Sequence, residues 1–431
     1  MTVFFLGGGV SRRMWPITQD KLLLPFLGKP MFWHVLRQFA EAKVADRIVI
    51  LSNNQNGDQL AAIAKEVGIS AELVLQPEAK GMGDALMCAK HLLQGEALVV
   101  NADDLLEPAV YQEVIKVAQR AKADAVFAGY VVKKYFPGGY LSLSGDRVTG
   151  VVEKPGEGNE PSDVVKLVVD YFRDGAALIG RLQKVTSIKD DAYEVALDRT
   201  VKEGINVQIA RYRGNWQALK YPWHVLEIME YLLTRVTRHI DKTARVAPSA
   251  IIEGPVHLGK GSKVFEGAVI KGPAYLGENC IVGSNTLVRQ SMLGDGCVVG
   301  FNSEVARSYV GNDSWFHANY VGDAVIEGDF GMGSGAVIAN LRLDGKTIKV
   351  GEERIDTKRD KLGVISGKNV RLGVNATTMP GVRVGAGSLI GPGVVLSRDI
   401  KAASRLVLRQ EYDVTENEQL AAFDQFRKKL S

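Results

Sequence analysis

The chain has 431 residues, 46% hydrophobic and 24% charged, with a formal net charge of +4. That length exceeds what one hydrophobic core organises, so two or more domains are expected. The near-neutral balance, with no block of like charge, argues against a nucleic-acid arm or an acidic tail. No apolar run approaches the ~18 residues of a membrane span. Residues 1–6 (MTVFFL) run straight into GGG without a basic n-region, so no secretory signal is expected. Cys88, Cys280 and Cys297 show no CxxC spacing, which suits a reducing, cytoplasmic setting.

From residue 1 to about 227, short apolar runs alternate with helix-period stretches. The runs TVFFL (2–6), RIVILS (47–52), ALVVNA (97–102), DAVFAGYVV (124–132), VKLVVDYF (165–172) and NVQIARY (206–212) predict strands. Residues 31–43, 57–68 and 108–123 predict helices between them. Such alternation implies an α/β domain with a Rossmann-like, mostly parallel sheet that binds ligands at the carboxyl ends of its strands. Residues 222–240 keep helical spacing, and 228–245 are expected to form a connecting helix.

Beyond it the texture changes. Aliphatic residues recur about every six positions, from Ile252, Leu258, Val264, Ile270, Leu276, Val282 and Val288 to Leu293, Val299, Val305 and Val310. Ile326, Met332, Ile338, Leu372, Val384, Ile390 and Leu396 continue the series. A six-residue period suits one flat strand and one corner. Three such sides close a coil with the aliphatics inside, so a left-handed parallel β-helix is expected over 246–400. Cys280 and Cys297 fall at small-residue positions of the repeat and read as core packing. The rhythm breaks at 341–361, which carries seven Lys/Arg and five Asp/Glu; a long loop on a rigid solenoid is a usual place for function. Residues 401–431 predict a strand and an amphipathic helix.

The first strand opens into GGGVSRRMWP (7–16), whose backbone N–H groups can approach a phosphate closely. With Arg13, Pro16, Thr18, Lys21 and Pro25 following, the segment resembles the first motif of the sugar-1-phosphate nucleotidylyltransferases. The resemblance implies that Gly7, Gly8, Gly9 and Arg13 bind nucleotide phosphates and that Arg13 and Lys21 neutralise charge in phosphoryl transfer. Further segments follow in the family's order. QPEAKGMGDAL (76–86) resembles the base-recognition segment, implying Gln76 and Gly81 as contacts to a pyrimidine. VVNADD (99–104) resembles the metal segment, implying Mg²⁺ on Asp103, with Asp104 as the alternative. VVEKP (151–155) resembles the sugar segment, implying Glu153 and Lys154. Two departures stand out. Ala218 takes the place of the family's second metal aspartate, and KLVVDYF replaces an Asn/Gly sugar-binding strand, leaving Asp170 as a candidate for the missing carboxylate.

Behind this domain (1–227), SWFHANYVGDAVI places His317 three residues before Tyr320, followed by Asn340, Lys346 and Lys349. This resembles the acetyltransferase half of the bifunctional enzymes that make UDP-N-acetylglucosamine, especially the archaeal type. The resemblance implies His317 as general base, Asn340 or Tyr320 as oxyanion donor, and the two lysines on phosphates of the sugar or of coenzyme A. The expectation is thus a bifunctional enzyme. It would use a nucleoside triphosphate (UTP), a sugar-1-phosphate and acetyl-CoA, work in the cytoplasm as a homotrimer, and have no nucleic-acid or membrane partner. Two alternatives stay open: a monofunctional glucose- or mannose-1-phosphate nucleotidylyltransferase with a structural β-helix, and a non-catalytic regulatory subunit.

Overall fold

A computed structural model describes residues 1–186 and 191–416. The N-terminal elements, in chain order, are β1 (Thr2–Leu6), α1 (Met31–Ala42), β2 (Arg47–Ser52), α2 (Gly57–Val67), β3 (Ala71–Leu75), α3 (Met82–Cys88) and β4 (Ala97–Asn101). There follow β5 (Asp104–Leu106), α4 (Pro108–Arg120), β6 (Ala125–Val131), β7 (Gly139–Ser144), β8 (Arg147–Glu153) and β9 (Val164–Phe172). The domain ends with α5 (Gly175–Leu182), α6 (Ala192–Lys202), β10 (Val207–Tyr212), β11 (Trp216–Ala218) and α7 (His224–Leu233).

The expected runs form one sheet in the order β3-β2-β1-β4-β9-β6-β10-β8-β7. Pairs β1–β2, β1–β4, β2–β3 and β6–β10 are parallel, while β9 runs antiparallel between β4 and β6. Both faces of β1 are apolar because helices cover both. Val3 and Phe5 join a core with α1, α2, α4 and α7, and Phe4 and Leu6 join another with α3, α5 and α6. Helix ends carry their own stop and start signals: Gly68 closes α2 with φ +83°, and Pro108 opens α4 at its first position.

The connecting helix is shorter than the sequence pattern predicts. It stops at Leu233, after which Thr234, Val236 and Thr237 bring β-branched residues that favour extended backbone. His239–Ile240 already pairs in parallel with His257–Leu258, so the β-helix begins before residue 246. From there three parallel sheets of eight, nine and eight strands stack along the coil. The aliphatics of the repeat are buried as expected, Ile252 partly and those from Leu258 to Leu396 almost wholly. Phe316 and Val321 fill the inward positions of the irregular coil between Val310 and Ile326. Ser366 and Thr378 take inward positions too, and their buried hydroxyls have no hydrogen-bond partner. Cys280 and Cys297 are wholly buried, as packing residues, with sulfur atoms against the Gly294 and Gly311 carbonyls.

The charged excursion is ordered: Lys349–Val350 pairs antiparallel with Ile355–Asp356 in a short hairpin. Ile348, Val350 and Leu362 bury against the N-terminal domain, and Arg359 reaches Glu230 of α7 at 2.8 Å. One face of the β-helix completes this seam. Tyr309 donates its hydroxyl proton to the Pro25 carbonyl (3.0 Å) and packs on Phe26, and Met292 Sδ accepts from the Leu27 N–H (3.1 Å). The expected C-terminal strand is only Arg405–Leu406; the expected terminal helix lies outside the described residues.

Leu293 is fully buried at the middle of the stack. Leu293→Ala should therefore cost about 2–5 kcal/mol in urea unfolding. Leu343→Ala, at a fully exposed position, should change stability by no more than about 0.5 kcal/mol.

Candidate functional site

A cavity of about 490 Å³ opens at the carboxyl ends of β1 and β4, where a doubly wound sheet places ligands. Most N-terminal residues implicated by sequence line it: Gly7, Gly8, Gly9, Arg13, Lys21, Gln76, Gly81, Asp103, Glu153 and Lys154. Its floor is the glycine turn. A Cβ on Gly8 would sit 2.5 Å from Gln76 Oε1, so a side chain there would displace that amide. Gln76 in turn donates from Nε2 to the Gly81 carbonyl (3.0 Å) and to Asp84 Oδ2 (2.8 Å). Gly81 needs its φ of +95° to start α3 at that point.

Two asparagines brace the turn from the end of β2. Asn53 donates to the Gly9 carbonyl (3.3 Å), and Asn56 donates to the Gly7 carbonyl (2.9 Å) and to Asp20 Oδ2 (2.8 Å). Asp20 caps the short turn that presents Lys21. Sequence reasoning missed both asparagines, although their place just past a strand's carboxyl end was the available signal.

Lys21 contacts Asp103 directly. Burial pushes the Lys21 ammonium down to about 8, against the opposing pull of the Asp104 carboxylate. Asp103 is buried, and its Oδ1 has no hydrogen-bond partner. An orphaned carboxylate oxygen in a cleft of phosphate-binding groups is what a hard divalent cation would satisfy, with phosphate and water oxygens completing its shell. Asp104 does not offer that alternative. Its oxygens accept from Asn101 Nδ2 (3.1 Å) and Trp216 Nε1 (3.2 Å), and it does not line the cavity. Nor does Asp170 replace the missing carboxylate. It is buried against Lys166 Nζ (2.6 Å) and the Tyr193 hydroxyl (2.8 Å) and does not line the cavity. Ala218 lies opposite Asp104 in the β5–β11 pair and adds no ligand. Among the described residues no three His, Cys, Asp or Glu side chains cluster as a metal site, and Asp103 is the cavity carboxylate with a buried oxygen left unpartnered.

Three more groups of the cavity, near Glu153 and Lys154, escaped the sequence reading. Lys220, two residues after Ala218, lines the cavity with its pKa lowered by burial. Lys166 stands on the strand that departs from the Asn/Gly pattern. Glu194 of α6 has its carboxyl raised to about 7 by burial and by the nearby Glu153. Glu153 and Lys154 pair at 2.9 Å.

The C-terminal candidates do not all meet within one chain. Asn340 Nδ2 donates to the Tyr320 hydroxyl (3.1 Å) and to Asp323, which Arg307 grips with two bonds of 2.7 Å. His317 sits exposed at a corner of the coil, its ring stacked 5.5 Å from Trp315. Lys349 is exposed on the hairpin beside the N-terminal domain, and Lys346 is exposed just before it.

Comparison with known proteins matches both halves. Residues 3–217 fit the nucleotidyl transferase family model, and residues 363–398 the model for the hexapeptide repeat of succinyl-transferase. A bifunctional sugar-1-phosphate nucleotidylyltransferase/acetyltransferase of Sulfurisphaera tokodaii is 29% identical over 93% of this chain and 98% of its own. The bifunctional protein GlmU of Methanococcus maripaludis is 28% identical over 96% and 99%, and that of Methanocaldococcus jannaschii 27% over 95% and 98%. Similarity that runs from end to end through both halves, onto a site whose cationic and acidic groups converge, fixes the assignment. The chain belongs to the nucleotidyl transferase family, in the two-domain bifunctional form that carries hexapeptide repeats behind the transferase domain.

Proposed function

We propose that the N-terminal domain joins UTP to N-acetylglucosamine-1-phosphate and that the β-helix supplies this substrate by acetylating glucosamine-1-phosphate. The observation that carries the first half is the convergence of Arg13, Lys21, Lys154 and Lys220 on a cavity floored by the glycine turn. An oxygen of the sugar phosphate forms a bond to the α-phosphorus of the nucleotide, and the bond from that phosphorus to the pyrophosphate oxygen breaks. The chain's part is to hold these anions in line and offset their charge, which suits transfer run by positioning and electrostatics. Asp103 would hold Mg²⁺, which supplies further neutralisation of the phosphates. Gln76, already fixed to Gly81, would present its remaining amide edge to the base, and Glu153 would accept from sugar hydroxyls.

For acetyl transfer, the sugar amine attacks the thioester carbon, the C–S bond breaks and coenzyme A leaves as its thiolate. His317 is suited to take the amine's proton, because an imidazole works near neutral pH. Asn340 spends its two N–H bonds on Tyr320 and Asp323. The Tyr320 hydroxyl, accepting from Asn340, keeps its own proton to donate, so Tyr320 is the better oxyanion donor of the two. Lys346 and Lys349, exposed at the start of the charged excursion, are suited to phosphates of the sugar or the coenzyme. A homotrimer would bring further groups to His317. Phe265 shares the corner column of His317, and it, Phe301 and Trp315 leave 41–56% of their surface exposed, apolar area of the kind that association covers. No helix among the described residues is long and apolar enough to cross a membrane, consistent with work in the cytoplasm.

The decisive experiment measures pyrophosphate release over a panel of nucleoside triphosphates and sugar-1-phosphates; the proposal predicts the highest kcat/KM for UTP with N-acetylglucosamine-1-phosphate. Asp103→Asn should abolish that release and weaken Mn²⁺ binding measured by electron paramagnetic resonance, with coenzyme A release from acetyl-CoA unchanged. His317→Ala should do the reverse, lowering kcat for acetylation by about 10²–10⁴-fold and leaving nucleotidyl transfer intact. A pH profile offers an independent check. The Lys21 ammonium is present below its folded pKa of about 8 and lost above it, so kcat/KM for nucleotidyl transfer should fall as pH rises through about 8. In Lys21→Arg, whose guanidinium stays charged, that fall should disappear.

A further inference from the structure

The segment that presents Lys21 is fastened from the other domain. Glu327, 4% exposed on the face of the β-helix turned toward the transferase, extends its carboxylate under residues 18 and 19. The Thr18 N–H donates to both of its oxygens (3.0 Å each), the Thr18 hydroxyl donates at 2.8 Å and the Gln19 N–H at 2.8 Å. The Lys368 N–H, also from the β-helix, donates at 3.1 Å. This carboxylate has no ion-pair partner among the described residues, so its charge is met by hydrogen bonds alone. A buried carboxylate is costly unless such bonds satisfy it, and bonds to an ionised acceptor are about twice as strong as neutral ones. Two residues on, Asp20 is held by Asn56, and Lys21 follows at once, reaching Asp103. The contacts on either side agree. Arg383 lies over the Trp15 ring at 4.5 Å, and Gly367 is without a side chain where its Cβ would stand 2.7 Å from the Pro16 carbonyl.

From this geometry we infer that Glu327 of the β-helix is a positioning residue for nucleotidyl transfer, holding the 16–21 loop so that Lys21 meets the phosphates. The inference rests on the nucleotidyl-transfer reading given above and assigns to the acetyltransferase half a part in the other reaction. Glu327 touches no substrate in this scheme. It acts by fixing the backbone of residues 18 and 19, and through it the direction of Lys21. Glu327→Gln keeps the size of the side chain, but its amide nitrogen would face backbone N–H donors.

The test compares both activities in the full-length protein. Glu327→Gln should lower kcat for pyrophosphate release about ten- to a hundredfold, the scale expected when a reacting group is displaced by about 1 Å. KM for the nucleotide should change less than threefold, because the glycine turn and Gln76 are untouched. Coenzyme A release should stay within twofold of wild type. Glu327→Asp, whose carboxylate is retained, should recover part of the kcat. Wild-type kcat for pyrophosphate release in Glu327→Gln would overturn the proposal. So would an equal loss of both activities with a lowered melting temperature, which marks a residue of the fold alone. Where Glu327→Gln yields no folded protein, Glu327→Asp decides: a reduced kcat with normal acetylation supports the role, and wild-type kinetics overturn it. Absence of pyrophosphate release from the wild type would instead remove the underlying reading, a result told apart from the others before any variant is made.

Discussion

The seating of residues 15–28 on one face of the β-helix is the contact on which the rest of the molecule depends. The segment leaves the glycine turn, carries Lys21 and returns to the sheet at α1, so it belongs by sequence to the N-terminal domain. Yet four of its backbone groups are satisfied by the other domain: Glu327 below residues 18 and 19, the Tyr309 hydroxyl at Pro25 and Met292 at Leu27. Phe26 and Tyr309 belong to the same apolar core, which also takes Val325 and Ile365 of the β-helix and Ile348, Val350 and Leu362 beside its hairpin. Loops carry function because they are free to vary, and they need a rigid support to be accurate. A β-helix, each coil locked by parallel ladders above and below, is such a support.

Electrostatics in the cleft follow from that rigidity. Lys21 and Lys220 are both depressed by burial, and the nearby Lys220 charge lowers Lys21 further. Lys21 finds Asp103, while one oxygen of Asp103 and the arginines at the mouth keep capacity to spare. Cations fixed in a desolvated cleft act on an incoming polyanion far more strongly than they would in water. At the far end burial and the neighbouring Glu153 raise the Glu194 carboxyl to about 7. The β-helix carries a separate polar network, Arg307–Asp323–Asn340–Tyr320, that holds one phenol in place on an outer face.

Much of this was legible in the sequence, for physical reasons. Strands such as TVFFL and RIVILS are apolar at successive positions because helices cover both faces, and the six-residue rhythm is forced by the geometry of a three-sided coil. The glycine turn, Arg13, Lys21, Gln76, Gly81, Asp103, Glu153 and Lys154 formed an ordered series, and all of them line one cavity. What stayed hidden depends on distance in three dimensions. Asn53 and Asn56 carry no motif of their own, and their part emerges only when the sheet brings β2 beside β1. Asp170 and Lys166 are four apart on one strand, yet a bulge lets them pair in the core, which no alternation pattern reveals. The 341–361 excursion read as a free functional loop because of its charge; Ile348 and Val350, two apolar residues in alternation, were the signal that it packs.

Hydrogen exchange in increasing urea tests the central claim, that the Lys21-bearing loop is held by the β-helix, most directly. The amides of Thr18, Gln19 and Leu27 should lose protection together with Leu293 and Val310 at the same denaturant concentration, because they open only when the β-helix face beneath them does. Amides of residues 18–27 that exchange at low urea, while Leu293 and Val310 stay protected, would contradict it.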